Sequence, residues 1–416
     1  MSESASHESS GRTQRYLVWL LWFLVLAAIP FVVRFDQPAW DLGVYRNAMD
    51  SVRAGHDPYA DAIAVQEAVH RLAPGVPTIL GPFSYVYSPI TLPIVKLFAW
   101  MPLALACVLY GLLYVAGVAA QSWFGLSLME RSEWRVLRYF APAAIFFPGF
   151  LGSDSVMSGN VAYILYGAVL LTLRRALRSG EWRWFYATVV VASCFKAPLL
   201  SLIVIPLLCA RRQWLPALGA GAAGAALFGM QLLLWPGLFR NYLKAVSLQF
   251  SFNRDFGFSP AGLFSGWLFD HHMAYSPAAM IFYLAYASAL FGGLIYLSRC
   301  YLRGEFSTER WLPVMLTGVI LLNPRLMEYD AAPLALPMAI LCWRMFSANR
   351  GMAATLFRVA TVFFAVNLVA AHSWGFEKLT EGPLLVALFL GGAASLLRST
   401  AVAREPAAVT AILTRA

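Results

Sequence analysis

Asp41 stands in a polar stretch directly after the first long apolar segment of the chain. Tyr45 follows four residues later, so the two side chains share one face if this stretch is helical. A carboxylate in this place could accept a proton from a hydroxyl group as that group attacks a substrate. Asp41 also precedes a run of apolar residues at helical spacing, and aspartate is a preferred helix N-cap. The sequence therefore leaves two interpretations of Asp41, a general base and a helix cap.

Lys196 interrupts an apolar stretch two residues before Pro198. Because proline breaks a helix, we expect the backbone and the ammonium group to lie at a membrane boundary. A lysine in such a place usually extends its charge to the interface. The ammonium can also hold a phosphate as a point charge. We predict phosphate binding, with the interfacial anchor as the alternative.

A run of mostly polar or helix-breaking residues extends from Asn323 to Asp330, between two apolar segments. The guanidinium group of Arg325 can donate two parallel hydrogen bonds to a phosphate. An ion pair between Arg325 and Glu328, three residues apart, is the alternative. Glu328, Tyr329 and Asp330 are further candidate substrate-binding residues in the same run.

The sequence Ser158-Gly159-Asn160 precedes another apolar segment. A helix that begins here would direct its backbone N–H groups at an anion, which makes Asn160 a candidate binding residue. The alternative is an ordinary helix cap, with Gly159 easing the turn.

Histidine and cysteine residues do not form a recognisable metal site. His271-His272 and His372 lack the spacing of zinc ligands. The five cysteines lie in or beside apolar segments without a CxxC motif, as expected for small buried hydrophobic residues. We predict no metal-ligating residues and no cofactor, and the sequence leaves a requirement for a divalent metal ion open.

The composition is that of a membrane protein. Hydrophobic residues make up 60% of the 416 residues and charged residues only 12%, against about 25% charged residues in soluble domains. The net charge of +10 does not indicate nucleic-acid binding, because Lys and Arg accumulate in the cytoplasmic loops of membrane proteins.

Apolar segments recur along most of the chain, and a membrane-spanning helix needs about 20 apolar residues. Clear candidate spans are 16–34, 103–126, 161–177, 215–235, 278–297, 331–345, 356–371 and 383–397. Shorter or proline-broken candidates are 89–100, 139–151, 184–195, 199–210 and 311–322. We predict an all-α fold, a polytopic helical bundle of roughly ten to thirteen spans, because lipid leaves each span to satisfy its own backbone hydrogen bonds.

The positions of the arginines predict the domain organisation and the topology. A polar, disordered N-terminus (1–15) and a C-terminal tail (399–416) would be cytoplasmic, and residues 16–398 would form one membrane domain. The first apolar segment has no cleavage site and is not a removable signal. Arginine clusters in the inner loops place the loops 36–88 and 236–275 on the outer face of the cytoplasmic membrane.

The segment between Ser88 and Arg131 does not fit a simple alternation of spans. It contains two apolar segments split at Pro102, whereas passing from outside to inside requires an odd number of crossings. Either residues 89–100 form a re-entrant or interfacial helix, or one basic cluster lies outside.

The two outer loops carry amphipathic patterns. Leu42, Tyr45, Met49 and Val52 recur at helical spacing and predict a short helix lying on the membrane surface. The loop 236–275 mixes aromatic and polar residues, which suits an aromatic belt at the level of the lipid headgroups or a lid over a lipid-facing groove.

Taken together, these motifs resemble glycosyltransferase family 87, in an order that covers about residues 16 to 398. The matching motifs are Asp41-x-x-x-Tyr45, Gly55-x-x-Pro58-Tyr59, Tyr87-Ser88-Pro89, Gly159-Asn160, Lys196-x-Pro198 and Asn323-Pro324-Arg325. The family consists of integral-membrane enzymes of the GT-C type and includes mannosyltransferases that use polyprenyl-phosphate mannose. Two departures, a missing Gln before Asn160 and a missing His near Arg325, leave the sugar and the acceptor open.

The resemblance implies an inverting transfer of one sugar from a polyprenyl-phosphate carrier to a lipid or glycan acceptor at the outer face. Asp41 would be the base, and Lys196 and Arg325 would hold the donor phosphate. Tyr45, Tyr59 and Tyr87 would line the sugar pocket. The expected partners are the lipid-linked donor, the acceptor and membrane lipids, with no nucleic acid.

Two other functions remain open from the sequence. A secondary transporter is disfavoured because the charges concentrate in loops and no matching pair of broken helices is evident. A polymerase or ligase of envelope polysaccharides also uses lipid-linked sugars, but it typically has a large outer loop late in the chain.

Overall fold

The computed structural model describes residues 3–38, 40–72, 85–134, 137, 156, 158–253, 256–257, 259–271, 273, 277–346 and 382–398. This part of the chain consists of α-helices and short 3₁₀ helices, and its only β-type pairing is one isolated bridge between Gly257 and Leu326. The predicted all-α class is confirmed for this part. The candidate spans at 139–151 and 356–371 lie outside the described residues.

The helices are numbered in chain order. They are α1 (Glu3–Val32), α2 (Trp40–Arg53), α3 (Ala60–Leu72), α4 (Leu92–Trp100), α5 (Leu103–Leu126), α6 (Ala162–Ser179), α7 (Arg183–Phe195), α8 (Val204–Cys209), α9 (Trp214–Leu234), α10 (Pro236–Asn253), α11 (Pro260–Asp270), α12 (Ala278–Leu302), α13 (Thr308–Leu321), α14 (Ala335–Phe346) and α15 (Gly382–Arg398). The 3₁₀ helices are Pro89–Thr91, Ala197–Ile203, Glu328–Asp330 and Ala332–Leu334.

The first helix is longer than its apolar part. Helix α1 begins at Glu3, whereas its apolar stretch is Tyr16–Val32. The predicted disorder of residues 1–15 is therefore wrong for residues 3–15, which continue the helix. Once an apolar segment has nucleated a helix, each further residue adds one hydrogen bond, so polar residues can extend it.

Three helices within the described residues, α5, α9 and α12, are long and apolar enough to cross a membrane. Shorter apolar helices accompany them at Tyr16–Val32, Pro89–Trp100, Arg183–Phe195, Ala197–Cys209, Ala332–Met345 and Gly382–Arg398. The long helices also expose large apolar side chains, among them Leu112, Leu233 and Ile281. Apolar surfaces of this extent are typical of proteins that contact lipid.

Helix α7 and the segment that follows it form a hairpin with Lys196 at the bend. The backbone of Lys196 is extended (φ −130°, ψ 98°), and the chain then returns through a 3₁₀ helix and α8. The hydroxyl group of Tyr186, near the start of α7, donates to the backbone carbonyl of Gln213, four residues after α8. The two arms therefore begin and end side by side, and Lys196 lies at the far end.

Helices α13 and α14 form a second hairpin, whose bend comprises residues 322–334. The guanidinium group of Arg344, near the end of α14, donates to the backbone carbonyl of Glu309 at the start of α13, with an N–O distance of 2.9 Å. Asp330 lies in the bend and contacts Lys196. The bends of the two hairpins therefore meet at the same end of the bundle.

The bundle thus has two chemically different ends. We call the end with Lys196 and Asp330 the site end. The opposite end, the arginine-rich end, holds the helix termini and turns with Arg174, Arg175, Arg178, Arg183, Arg211, Arg212, Arg299, Arg303, Arg310 and Arg344. Contacts across this end join its loops: Arg211 donates to the backbone carbonyl of Leu302, and Arg344 to that of Leu128.

Helix α4 does not cross the bundle. Its nine residues extend about 14 Å at 1.5 Å per residue, well short of the roughly 30 Å of a bilayer core. It packs against α2 at the site end, where the Arg53 side chain donates to the backbone carbonyl of Ala99. Its length favours the re-entrant or interfacial alternative for residues 89–100.

Helix α2 confirms the predicted helix over residues 41–53. Its predicted apolar face packs against protein: Leu42 and Met49 are buried in a cluster with Ile29 and Tyr114. The apolar face of α2 therefore covers a protein core, which the same amphipathic pattern also suits, and its position on the membrane surface stays a prediction.

Candidate functional site

Asp41 is the second residue of α2 and lies in its first turn, so it does not occupy the N-cap position that the structural interpretation assigned to it. Its carboxyl group accepts hydrogen bonds from the side chains of Ser158 and Asn160. The charges of Lys196 and Asp330 lie close enough to act on it. Five residues from four distant parts of the chain thus converge at the site end.

The electrostatics of Asp41 are those of a partly buried carboxyl group. Burial is the largest influence and raises the pKa of Asp41 above its ordinary value. The hydrogen bond from Asn160 and the charge of Lys196 oppose this increase, while the charge of Asp330 adds to it. A carboxylate with a raised pKa is a stronger base than an ordinary aspartate.

The segment 158–160 approaches α2 closely because residue 159 is glycine. Gly159 has a left-handed backbone (φ +68°), and a Cβ atom there would lie 2.5 Å from Cγ of Leu42. The amide of Leu42 donates to the backbone carbonyl of Ser158, and the Tyr110 hydroxyl group donates to that of Gly159. These contacts hold Ser158 and Asn160 against Asp41.

Asn160 is buried and matches the capping interpretation of its segment, whereas its binding of an anionic ligand stays a prediction. Its side-chain oxygen accepts a hydrogen bond from the amide of Ala162 at the start of α6, as a capping residue would. Its amide nitrogen donates to the hydroxyl group of Tyr87 at 3.4 Å, and the side chain also bonds to Asp41. Asn160 therefore connects the start of α6 to the candidate base.

Lys196 and Asp330 form an ion pair with an N–O distance of 2.5 Å, and their side chains are 13% and 7% exposed. The ammonium nitrogen of Lys196 lies over the ring of Tyr329, 4.0 Å from the ring centroid. This distance is in the range of cation–π contacts. The second carboxylate oxygen of Asp330 accepts a hydrogen bond from the amide of Met327. The ammonium group of Lys196 is therefore engaged by protein groups and only slightly exposed, and both the phosphate-binding and the interfacial-anchor interpretations stay predictions.

Arg325 lies in the same bend as Asp330. Its amide donates to the side-chain oxygen of Asn323, and the next residue, Leu326, pairs with Gly257 in the isolated bridge. The predicted convergence of Lys196 and Arg325 on one phosphate stays a prediction. The alternative is an ion pair between Arg325 and Glu328. The side chain of Glu328 lies outside the part of the structure that is described.

The predicted tyrosines form a connected network beside Asp41. The hydroxyl groups of Tyr45 and Tyr87 are 2.7 Å apart, and the amide of Val161 donates to the Tyr45 hydroxyl group. Burial raises the pKa values of both phenols, so both remain neutral hydrogen-bonding groups. Tyr45 and Tyr87 are thus brought to the site.

Tyr59 takes a different place from the other two. It is fully buried, and its hydroxyl group donates to the backbone carbonyl of Tyr87 at 2.8 Å. Its ring packs against Tyr85 and Tyr242. These contacts position the segment of the chain that carries Tyr87. A direct contact between Tyr59 and a sugar stays a prediction.

Two residues of the site were not selected from the sequence. Ser158 bonds to Asp41, and Tyr110 supports the Gly159 backbone from within α5. A tyrosine hydroxyl group in an otherwise apolar span needs a partner, which was the available signal for Tyr110. For Ser158, the sequence offered no signal other than its position before Gly159.

Within the described residues no group of three His, Cys, Asp or Glu side chains could hold a metal ion. Among the described residues, the charged groups that act on one another at Asp41 are two carboxylates, Asp41 and Asp330, and the ammonium group of Lys196. Such a set can remove a proton at Asp41 and balance one negative charge at Lys196.

Comparisons with known proteins give no relative. No family model matches the chain, and searches of curated proteins and of solved structures find no match.

Proposed function

We propose that this protein is a membrane glycosyltransferase that moves one sugar from a polyprenyl-phosphate carrier to a lipid or glycan acceptor. The observation that carries the proposal is Asp41: a partly buried carboxylate with a raised pKa, bonded by Asn160 and close to the charge of Lys196. A base beside a cation suits a reaction in which a hydroxyl group loses a proton and a phosphate leaves.

The reaction would proceed in one displacement. Asp41 accepts the proton of the acceptor hydroxyl group while the oxygen of that hydroxyl group forms a bond to the anomeric carbon of the donor sugar. The bond between that carbon and the phosphate oxygen breaks, and its electron pair leaves with the polyprenyl phosphate. Attack opposite to the leaving group inverts the anomeric carbon. Lys196, assisted by Arg325, balances the charge that develops on the phosphate.

The ion pair gives this scheme a specific requirement. Lys196 already faces the carboxylate of Asp330, so a donor phosphate must compete with that carboxylate for the ammonium group. Two anions around one buried cation repel each other. Donor binding would therefore displace the carboxylate of Asp330 from the ammonium group.

The two ends of the bundle support a placement in the membrane. Lys and Arg accumulate on the cytoplasmic side of membrane proteins, so the arginine-rich end would face the cytoplasm. The site end would face outward, where a lipid-linked donor and an envelope acceptor meet. The exposed apolar side chains between the ends would contact lipid.

The decisive experiment incubates the purified protein with a polyprenyl-phosphate sugar and a membrane-lipid acceptor and measures the release of polyprenyl phosphate. We expect release that depends on both acceptor and Asp41. Release by an Asp41→Asn variant at the rate of the unchanged protein would contradict the proposal.

A secondary transporter is the second candidate, and one observation favours it. A buried ion pair joins two bent helical segments, an arrangement that transporters use at their binding sites. Protein reconstituted in vesicles distinguishes the two functions. A transporter would accumulate an unmodified solute, whereas a glycosyltransferase would produce a glycosylated acceptor and free polyprenyl phosphate.

A further inference from the structure

A polar cavity of about 210 Å³ opens at the arginine-rich end, remote from Asp41. Its lining combines two acids and two arginines with a tryptophan and two serines: Glu130, Glu133, Arg310, Arg344, Trp343, Ser132 and Ser395. The volume is far above the roughly 10–15 Å³ that one water molecule needs. The cavity therefore has room for a polar group of several heavy atoms.

One of its two ion pairs serves the fold. Glu133 and Arg344 are joined by two hydrogen bonds of 2.6 and 3.0 Å, and their side chains are only 4% and 15% exposed. Arg344 also donates to the backbone carbonyls of Leu128 and Glu309. With its donors engaged in this way, Arg344 closes the hairpin and leaves little capacity for a ligand.

The other ion pair is open. Glu130 and Arg310 share one hydrogen bond of 3.0 Å through Nε, and their side chains are 37% and 46% exposed. Among the described contacts of the Arg310 side chain, none uses the two terminal nitrogen atoms. A guanidinium group with free terminal N–H groups is suited to a phosphate. The second oxygen of Glu130 is equally suited to an ammonium group.

The net charge of the residues that line the cavity limits the kinds of ligand that it can bind. Two carboxylates and two guanidinium groups sum to zero, so a lone anion meets the carboxylates and a lone cation meets the guanidinium groups. A ligand that carries both signs can pair with Arg310 and Glu130 together. The site therefore favours a zwitterion over either simple ion.

We propose that this cavity binds a zwitterionic group with a primary ammonium and a phosphate, the chemistry of a phosphoethanolamine headgroup. Its phosphate contacts Arg310 and its ammonium group contacts Glu130. Trp343 lines the same cavity, and tryptophan is enriched at the level of lipid headgroups. An ethanolamine phospholipid and free phosphoethanolamine share this chemistry. The proposal does not depend on the function proposed for Asp41.

The test measures lipid binding to the full-length protein in detergent micelles by the shift of its thermal unfolding midpoint during titration. The probes are short-chain phosphatidylethanolamine, phosphatidylcholine and phosphatidylglycerol, together with water-soluble phosphoethanolamine. Choline keeps the positive charge but has no N–H donor for Glu130, and glycerol removes the positive charge. The variants are Arg310→Gln and Glu130→Gln. Arg303→Gln is the matched control, because Arg303 also forms an accessible ion pair at this end, with Glu305, but does not line the cavity.

We expect the unchanged protein and Arg303→Gln to bind phosphatidylethanolamine at least about tenfold more tightly than the other two lipids, the effect of one charge-assisted hydrogen bond. Arg310→Gln should lose this binding, and Glu130→Gln should shift the preference toward phosphatidylglycerol. A purely structural ion pair would not invert selectivity. If phosphoethanolamine competes with the lipid, the ligand is the soluble compound. If it does not compete, the ligand is the lipid. Equal binding of the three lipids, a preference for phosphatidylglycerol in the unchanged protein, or unchanged selectivity in both variants would overturn the proposal.

Discussion

The ammonium nitrogen of Lys196 lies 2.5 Å from a carboxylate oxygen of Asp330, although 134 residues separate the two in the chain. The pair joins the bends of two helical hairpins and stands beside Asp41. Asp330 is buried and Lys196 is only 13% exposed, so each charge depends on the other. This contact organises the candidate site and leads to the first prediction.

Separate loss of either charge should destabilise the protein, since an unpaired charge would remain buried. Lys196→Met and Asp330→Asn are each expected to lower the free energy of unfolding by about 3–5 kcal/mol. The double variant should lose less than the sum of the two single losses, because no unpaired charge remains. Chemical unfolding in detergent micelles measures the free energy of unfolding of the unchanged protein, the two single variants and the double variant. Simple additivity would mean that the two groups do not interact in solution.

Replacement of Asp41 distinguishes a base from a structural residue. Asn keeps the size of Asp and can still bond to Ser158 and Asn160, so the fold should persist. Polyprenyl-phosphate release should fall about 10²–10⁴-fold, the usual contribution of a general base. Asp50→Asn is the matched control, because Asp50 is exposed on the same helix and its described ion pairs are with the neighbouring Arg46 and Arg53. Should Asp41→Asn keep more than about a tenth of the activity, well outside that range, another carboxylate such as Asp330 must be the base.

The pH dependence of transfer should report the environment of Asp41. Activity requires the carboxylate, so it should decline as the pH falls through the raised pKa of Asp41. Asn160→Ala removes a hydrogen bond that stabilises the carboxylate, which moves this acid limb to higher pH. Asp330→Asn removes a neighbouring negative charge, which moves the limb to lower pH. The measurement is the pH profile of kcat/KM. Shifts of both variants in the same direction would contradict the assignment.

Two glycines with similar backbones provide a test of the close approach at the site. Gly159 and Gly180 both have left-handed backbones (φ +68° and +74°), but only Gly159 faces a neighbour, the fully buried Leu42. Gly180→Ala should cost about 1–2 kcal/mol of stability for backbone strain alone. Gly159→Ala should cost about 1–3 kcal/mol more for the steric conflict. Unfolding free energies compare the two, and equal losses would show that Leu42 moves aside.

The orientation of the bundle can be tested with single cysteines. Asp61 is exposed on α3 at the site end, and Ser179 is exposed at the end of α6, beside the arginine cluster. If the arginine-rich end is cytoplasmic, Asp61→Cys should react with an impermeant thiol reagent in intact cells. Ser179→Cys should react only after lysis. The reverse pattern would place the candidate site in the cytoplasm and exclude an outward-facing transferase.

Local features of the chain predicted its helices well. The span predicted at residues 103–126 coincides with α5, Leu103–Leu126, because Pro102 and a long apolar run mark its limits without help from other segments. The helix after Asp41 and the break at Lys196 likewise follow from helical spacing and from a nearby proline. The polar N-terminus was the exception, since its helix depends on the segment that follows it.

The sequence by itself determined which residues carry charge in an apolar chain, and so pointed to Asp41, Lys196 and the run that ends at Asp330. Only the tertiary structure decided that Lys196 pairs with Asp330, and that Asn160 bonds to the candidate base. Local spacing cannot encode such contacts, because they arise when hairpins distant in the chain pack together. A buried charge then takes whichever partner the packing brings within reach, since burial without a partner is costly.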